Sequence, residues 1–484
     1  MPKRALLVAI ATLVALISLN AFAPQASVEA SGKSLKDRLS ATIASSQLGK
    51  KGVAGAVVYE LKSGKVVFSQ NASKALAPAS NMKVVTSAAA FCELGLDFEL
   101  QTKLFRKGSI NEGVLKGDLL IKGYGDPNIS GRFNDGDVTQ VLRHFAKVVK
   151  AHGISQVSGK LYFDASYFSG EAVHADWPSN QFNKWYCAEA SALSLNDNCI
   201  TVRIEASNGK HAKLTKIPDT NYVSINGTID SKAGRRDPKV AVVRPIANSN
   251  ELKVWGDIYT GKPLFDAECT IHDPANFFAQ TMIEVLYNQG VEVEGGVAPL
   301  AQTEEQLKQW TLTSVFKSGM ASTLFVCNQN SQNLYAENLF RIVGAEKGGE
   351  GSLAGGRKAV LAFLKREGIS TDGLKLEDGS GLAHSNRLSA EALAKLLRKV
   401  ALKENGDLFK ATLPVAGQSG TLKTRLRGAS TKGRVFAKTG YISGVYSLSG
   451  FLDHKDGSRY VFAVILNDAV SRSPVDRFVE VLAD

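Results

Sequence analysis

The texture of the chain changes twice along its length, and this limits the fold more than any single motif. The start reads as strand, strand, helix. Segments 53–61 and 66–70 alternate as strands about the turn Lys62-Ser63-Gly64, and an apolar helical run follows from Pro78. From about Leu94 short strands take over, at 101–105, 117–122, 159–164, 200–206 and 222–230, punctuated by Gly and Asn. Helical patterns interrupt at 138–152 and 273–289. From about Ser314 the pattern is helical, at 333–344, 355–367 and 389–403. It closes on strands 434–438, 444–452 and 460–467, with His454-Lys455-Asp456-Gly457 as a hairpin turn, and a short amphipathic helix from Ser473. A chain of 484 residues is too long for one core. The simplest architecture is an α/β (α+β) domain made from both ends, residues 31–93 and 301–484. A β-rich insertion, 94–300, interrupts it with one or two subdomains and room for a nested one at about 160–240.

Lys3 and Arg4 precede a short apolar run, 5–17, broken only by Thr12, and small residues follow. This predicts a secretory signal peptide over residues 1–30, with Ala30 the better cleavage point and the run too short to span a bilayer. No cysteine lies near the cut, so no lipid anchor is expected, and no later segment reads as a transmembrane anchor. The expected compartment is exported: periplasmic or extracytoplasmic cell-wall space. That setting permits disulfides, and Cys187 and Cys199 are expected to close a small loop. The net charge of +12 favours anionic surroundings. The basic residues are dispersed, with only 210–216 and 423–432 locally dense, and nothing resembles a nucleic-acid module. Metal-ligand spacings are missing, and the scattered histidines give a Ser-His-Asp triad no support.

Ser80-Asn81-Met82-Lys83 opens the first helical run. Residues three apart share a helix face, so the Lys83 amine can reach the Ser80 hydroxyl and act as its base. The helix N-terminus favours developing negative charge. Ser331-Gln332-Asn333 and Lys438-Thr439-Gly440 follow in that order. Alone, the first of these is a helix cap and the second a strand end. Together the three resemble the signature of penicillin-binding proteins and class A β-lactamases.

The likeness continues outside the motifs. Pro78-Ala79-Ser80, the segment 117–127, the segment 188–198, Asp378-Gly379-Ser380-Gly381-Leu382 with Asn386, 413–417 and 420–422 all resemble the D-alanyl-D-alanine carboxypeptidase/endopeptidase family. These are the type-4 low-molecular-mass penicillin-binding proteins, peptidase family S13. Residues 84–330 separate the first motif from the second, a gap far longer than class A β-lactamases leave. The resemblance implies a penicillin-binding protein/β-lactamase-like serine transpeptidase fold, an antiparallel sheet with helices, carrying a large insertion. It implies an acyl-enzyme on Ser80, with Lys83 as base and Ser331 as proton relay. Asn333 would hold the substrate backbone, and Lys438 and Thr439 the terminal carboxylate. The N–H groups of Ser80 and Tyr441, the residue after Gly440, would hold the oxyanion, a term worth about 3–4 kcal/mol per donor. The implied partners are peptidoglycan stem peptides, cross-links and β-lactams; no cofactor or metal is implied. Gly379 and Gly381 read as turn glycines and Asp126 as a structural turn residue. Tyr441 stands where relatives often carry Ser or Thr, and Gln332 fills the middle of the second motif. Uncharged Ser179-Asn180-Gln181 follows Trp177-Pro178, where some diaminopimelate-type relatives place a carboxylate, which leaves the stem-peptide side-chain preference open. A β-lactamase and a non-catalytic wall-binding protein are the rival readings. Rapid nitrocefin turnover separates the first, and absence of penicillin labelling the second.

Overall fold

A computed structural model describes residues 34–484; the expected signal peptide lies outside them. The chain divides into two compact units. The first takes residues up to Phe98 together with 320–348 and 356–484; the second takes 99–319 with 349–355.

The first unit contains α1 (Leu35–Ala44), β1 (Leu48–Glu60), β2 (Val66–Gln70), α2 (Met82–Glu93), α3 (Met320–Gln329), α4 (Asn333–Val343) and α5 (Ala390–Ala401). It ends with β3 (Val435–Ile442), β4 (Val445–Asp453), β5 (Arg459–Ala469) and α6 (Ser473–Ala483). Five antiparallel strands run in the order β3-β4-β5-β1-β2. The amino-terminal strand therefore lies between β2 and the last strand of the chain, with Val57 opposite Ala463. Residues 461–466 of β5 are all buried, the run of apolar side chains expected of a strand covered on both faces. One face packs Leu39 and Ile43 of α1 and Phe478, Val479 and Leu482 of α6 against Val58, Phe68 and Val464. On the other, α5 lies against β1 and β5 and also contacts α2. Residues 82–91 of α2 are buried all round, and the small run Ser87-Ala88-Ala89-Ala90 lets α3 and α4 approach it closely.

In the second unit, Glu99–Asn111 and Val114–Gly123 form a hairpin, Thr102 opposite Gly123, within a seven-stranded sheet. Helices Gln140–Ala151 and Pro274–Asn288 bury Phe145, Val149, Phe277 and Phe278 in its core. Two smaller sheets hold the strands between Cys199 and Thr270.

Three expectations need correction. The helical pattern begins later than Ser314: Thr311–Gly319 is a strand, antiparallel to Glu99–Asn111. Its β-branched Thr311, Thr313 and Val315 suit a strand, and pairing with a waiting edge decides the matter. The strand expected at 222–230 is two, Ser224–Gly227 and Asp230–Lys232. Gly227 breaks it, at φ +106° and so close to Val254 that a Cβ would sit 2.2 Å from its carbonyl oxygen. Finally, Cys187 and Cys199 are free thiols. Both are buried, which pushes Cys187 up to about 12 and Cys199 well above the usual thiol range. The segment between them is tied without a disulfide: Asn198 donates to the Glu189 carbonyl (2.8 Å) and accepts from the Leu195 N–H (3.1 Å).

Candidate active site

Ser80 sits in a single 3-10 turn, Ala79–Asn81, that runs directly into α2. Ala79 has φ +48°, a conformation that is costly for a residue with a Cβ and persists only where its surroundings enforce it. Two layers enforce it here. From the sheet side, Ser447 of β4 donates to the Pro78 carbonyl (2.6 Å) and accepts from Asn81 Nδ2 (2.7 Å), while Ser449 donates to Asn81 Oδ1. Gly440 permits this approach, because a Cβ there would lie 2.2 Å from Ser447 Oγ and 2.8 Å from the Pro78 oxygen. From the loop side, Gly381 at φ +84° leaves no room for a Cβ, which would meet the Ala79 oxygen at 1.9 Å.

One turn on, Lys83 is fully buried. Its Nζ lies 2.6 Å from Asn333 Oδ1, 2.7 Å from the Ser380 carbonyl and 3.0 Å from Ser80 Oγ. The first two are acceptors only. A neutral amine has two N–H groups and one lone pair, so those acceptors use both hydrogens and the lone pair is left for the Ser80 hydroxyl. Burial drives Lys83 down from the ordinary 10.5 to about 8; the Cys327 thiol, Asp378 and Glu337 oppose that shift. The amine is thus set to exchange a proton near neutral pH.

Behind Lys83 lies a polar cluster. Glu337, one helical turn past Asn333 on α4, accepts from the Ser380 N–H (2.9 Å) and pairs with Arg341 (2.9 Å). The Ser380 residue is therefore held at its N–H by Glu337 and at its carbonyl by Lys83. Asp378 receives the N–H groups of Gly381 and Ala383 (2.7 Å each) and the Asn386 amide (2.9 Å), which fixes the loop. Burial, then Asp378, raises Glu337 above the usual carboxylate range.

Ser331 lies in the turn between α3 and α4 at φ +56°. Lys438, also fully buried, donates to Ser331 Oγ (2.8 Å) and to the Thr439 carbonyl (2.7 Å). Burial pushes Lys438 well below its ordinary range, and the charge of Lys83 adds to this. The charge of Lys83 repels a second buried charge, which disfavours the charged form of Lys438.

Strand β3 forms the edge of its sheet. The Ala437 N–H points away from β4, donating to the Pro414 carbonyl at 2.9 Å. Backbone groups alternate along a strand, so the N–H groups of Thr439 and Tyr441 face the same open side. The Thr439 hydroxyl meets that of Thr421 at 2.7 Å, and the Tyr441 side chain is 65 % exposed.

Of the residues singled out in the sequence, Ser80, Lys83 and Asn333 meet directly. Ser331 and Lys438 form a second pair, and Thr439, Gly440 and Tyr441 lie on the bordering strand. Lys438 points to Ser331, and Asn333 to Lys83. Asp126 is a turn residue that accepts from the Asn128 N–H (2.9 Å) and Ser318 (2.7 Å). Sequence reasoning missed Glu337, and it quoted Ser380 and Thr421 within family-like segments without giving either a role. Glu337 left a signal, four residues after Asn333 on one helix face. Ser380 acts through its backbone, which no side-chain pattern reveals. Among the described residues no group of His, Cys, Asp and Glu is arranged to hold a metal ion, and no helix is long and apolar enough to cross a membrane.

Residues 35–483 match the D-Ala-D-Ala carboxypeptidase 3 (S13) family, and the chain belongs to it. It is 29% identical over 435 residues to the D-alanyl-D-alanine carboxypeptidase of Actinomadura sp. strain R39, covering 87% of this chain and 79% of that one. The D-alanyl-D-alanine carboxypeptidase DacB of Haemophilus influenzae is 25% identical over 419 residues, 85% of either chain. Penicillin binding protein 4 from Haemophilus influenzae shares the fold, with a TM-score of 0.77 at 24% identity over 92% of this chain and 98% of its own. That protein has also been solved complexed with a β-lactam.

Proposed function

We propose that Ser80 is the acyl acceptor for peptidoglycan stem peptides ending in D-Ala-D-Ala, and for the equivalent bond of a cross-link. The enzyme is a serine-type D-Ala-D-Ala carboxypeptidase. The observation that carries the residue assignment is the buried Lys83 amine, 3.0 Å from Ser80 Oγ with its two other contacts to carbonyl oxygens, so that in its neutral form the lone pair is left for Ser80.

Ser80 Oγ attacks the carbonyl of the penultimate D-alanine as Lys83 takes its proton. The N–H groups of Ser80 and Tyr441 hold the oxyanion. The proton passes through Ser331, with Lys438 behind it, to the leaving nitrogen. The C–N bond breaks, the terminal amine departs and an ester remains on Ser80. Water then attacks the ester, Lys83 takes the water's proton, and Ser80 is released with its hydrogen restored. Asn333 orients Lys83 and the acyl-side backbone. Lys438 acts mainly on Ser331, and Thr439 offers its hydroxyl to the carboxylate. β-Lactams acylate the same oxygen because their strained amide imitates the D-Ala-D-Ala bond. The leader sequence supports export to the cell-wall space, where this substrate lies.

Purified protein, penicillin and a D-Ala-D-Ala peptide test this together. One penicillin adduct, mapped to Ser80, and stoichiometric release of D-alanine are expected. An adduct elsewhere overturns the assignment; fast nitrocefin turnover turns the reading toward a β-lactamase.

A further inference from the structure

In the second unit, the sheet built on Glu251–Tyr259 has one face covered and one bare. Leu252, Val254 and Ile258 point into the core, with Val240 and Val242 packed beside them. Alternation along the strand sends Lys253, Trp255 and Asp257 to the other face. Directly opposite residues share a face, which adds Lys239 and Ala241 from the neighbouring strand Lys239–Val243. Trp255 lies at the centre. It is 54 % exposed, although its strand is paired on both sides. The floor around the indole is low. Small Ala241 stands opposite it on one flank. On the other flank Ser224–Gly227 pairs only as far as Val254 and Asp230–Lys232 begins opposite Asp257, so no ladder residue faces Trp255.

The charge on this face is one-sided. Its acids have partners: Lys232 meets Asp257 at 2.6 Å, Asn226 donates to Glu251, and His211 lies 3.2 Å from Asp230. Lys239 and Lys253 are exposed, and among the described residues neither makes an ion pair. Lys253 comes two residues before Trp255, and Lys239 stands opposite Asp257, two residues after it. At about 3.3 Å per residue, the two backbone positions are about 13 Å apart along the strand, with the indole between them.

These features separate the candidate occupants. A peptide adding itself as a strand needs a free edge, and this strand has none. A second copy docking about a two-fold axis at Trp255 would set the unpaired lysines against their own copies. A sugar ring has a flat face of C–H groups that can lie on an open indole, and a low floor leaves its rim of hydroxyls free. Carboxylates carried along a sugar chain would meet the lysines on either side.

We propose that this face, centred on Trp255, docks an anionic glycan strand of the wall polymer. The choice of polymer rests on the reading of the protein as a peptidoglycan carboxypeptidase; the docking itself involves no turnover.

The probe is soluble glycan strand freed of its stem peptides by an amidase, so that its lactyl carboxylates remain and nothing on it fits the Ser80 site. Isothermal titration compares the full-length wild type with W255A, W255F and the double variant K239Q/K253Q, and thermal melting checks that each folds. W255A is expected to weaken binding about tenfold or more, W255F by less than about threefold, and the lysine pair by about fivefold with most of the salt dependence lost. D-Alanine release from a monomeric pentapeptide should stay at the wild-type rate in all three. If W255A does not fold, the lysine pair decides. No binding by the wild type, or binding within twofold in the folded variants, overturns the proposal. So does equally tight binding of a single-stranded DNA of similar charge, which would leave only a polyanion site, or a wild-type dimer in sedimentation that W255A dissolves, which would give the face to a second copy. Penicillin labelling of Ser80 and D-alanine release report on the underlying reading separately: their failure would sink that reading while the glycan titration still decides this one.

Discussion

Lys83 in the first unit and Lys122 in the second are almost equally hidden, at 0 % and 4 % exposure, yet their surroundings differ in kind. Lys122 meets a carboxylate directly, Asp164 at 2.8 Å, and adds the Gln302 carbonyl at 2.5 Å. Asp164 in turn accepts the N–H groups of Ser166 and Gln302 at 2.8 Å each, so every charge in that cluster is answered. Lys83 touches no carboxylate. Its neighbours are an amide oxygen, a peptide carbonyl and a hydroxyl, while Glu337 and Asp378 stand behind the Ser380 peptide. The same side chain at the same depth is paired with a carboxylate in one unit and left near its titration point in the other. What separates a structural lysine from a reactive one is whether the counter-charge is in contact or one peptide away.

Substitutions can break that contrast. The largest effect is expected from Ser80→Ala, which removes the proposed acyl oxygen and should abolish penicillin labelling in a protein that melts like the wild type; intact-mass spectrometry reads this. Next, Lys83→Ala should slow acylation by about 10²–10⁴-fold, measured by stopped flow, with little change in melting. Lys122→Ala should do the reverse. Leaving Asp164 buried without its cation should cost about 3–5 kcal/mol in denaturant unfolding, with acylation of the folded fraction retained. Equal kinetic losses from the two lysine variants would end the comparison.

Two smaller effects sharpen it. On the proposed mechanism Lys83 works as a base when neutral, so its active fraction grows as pH rises. Acylation should climb through about pH 8 and level off above it. Glu337 favours the charged form of Lys83, so Glu337→Gln should move that rising limb toward lower pH. A change in rate with no movement of the limb would reduce Glu337 to a packing role.

Local patterns carried much of the fold. The strand pairs about Lys62-Ser63-Gly64 and His454-Lys455-Asp456-Gly457 are hairpins, and the helix expected at 273 starts there, with Asp273 capping Asn276. The family itself was legible because its chemistry is concentrated in short motifs. Elements fixed by distant partners were not legible. Thr311–Gly319 is a strand because Glu99–Asn111 offers an edge, and the free thiols of Cys187 and Cys199 reflect side-chain positions that sequence spacing does not encode. At the site, helix geometry brings Lys83 to Ser80, and the company of the other two motifs gives the pair its expected role. The Ser380 carbonyl and the N–H direction of Tyr441 belong to the backbone, and the turn of Lys438 toward Ser331 depends on a chain crossing.

The hydrogen bonds that hold the turn at Ser80 come from Ser447 and Ser449, and β1 gains its central place only when β5 lies beside it. A ribosome or an export channel delivers these pieces in order, the serine early and its support last. While the chain is incomplete, Ser80 has neither its sheet nor its sprung turn, and the finished pocket arrives as a single late event. Contacts this far apart in sequence make that event slow. The support of the Ser80 turn is therefore complete only when the carboxy-terminal strands have been supplied.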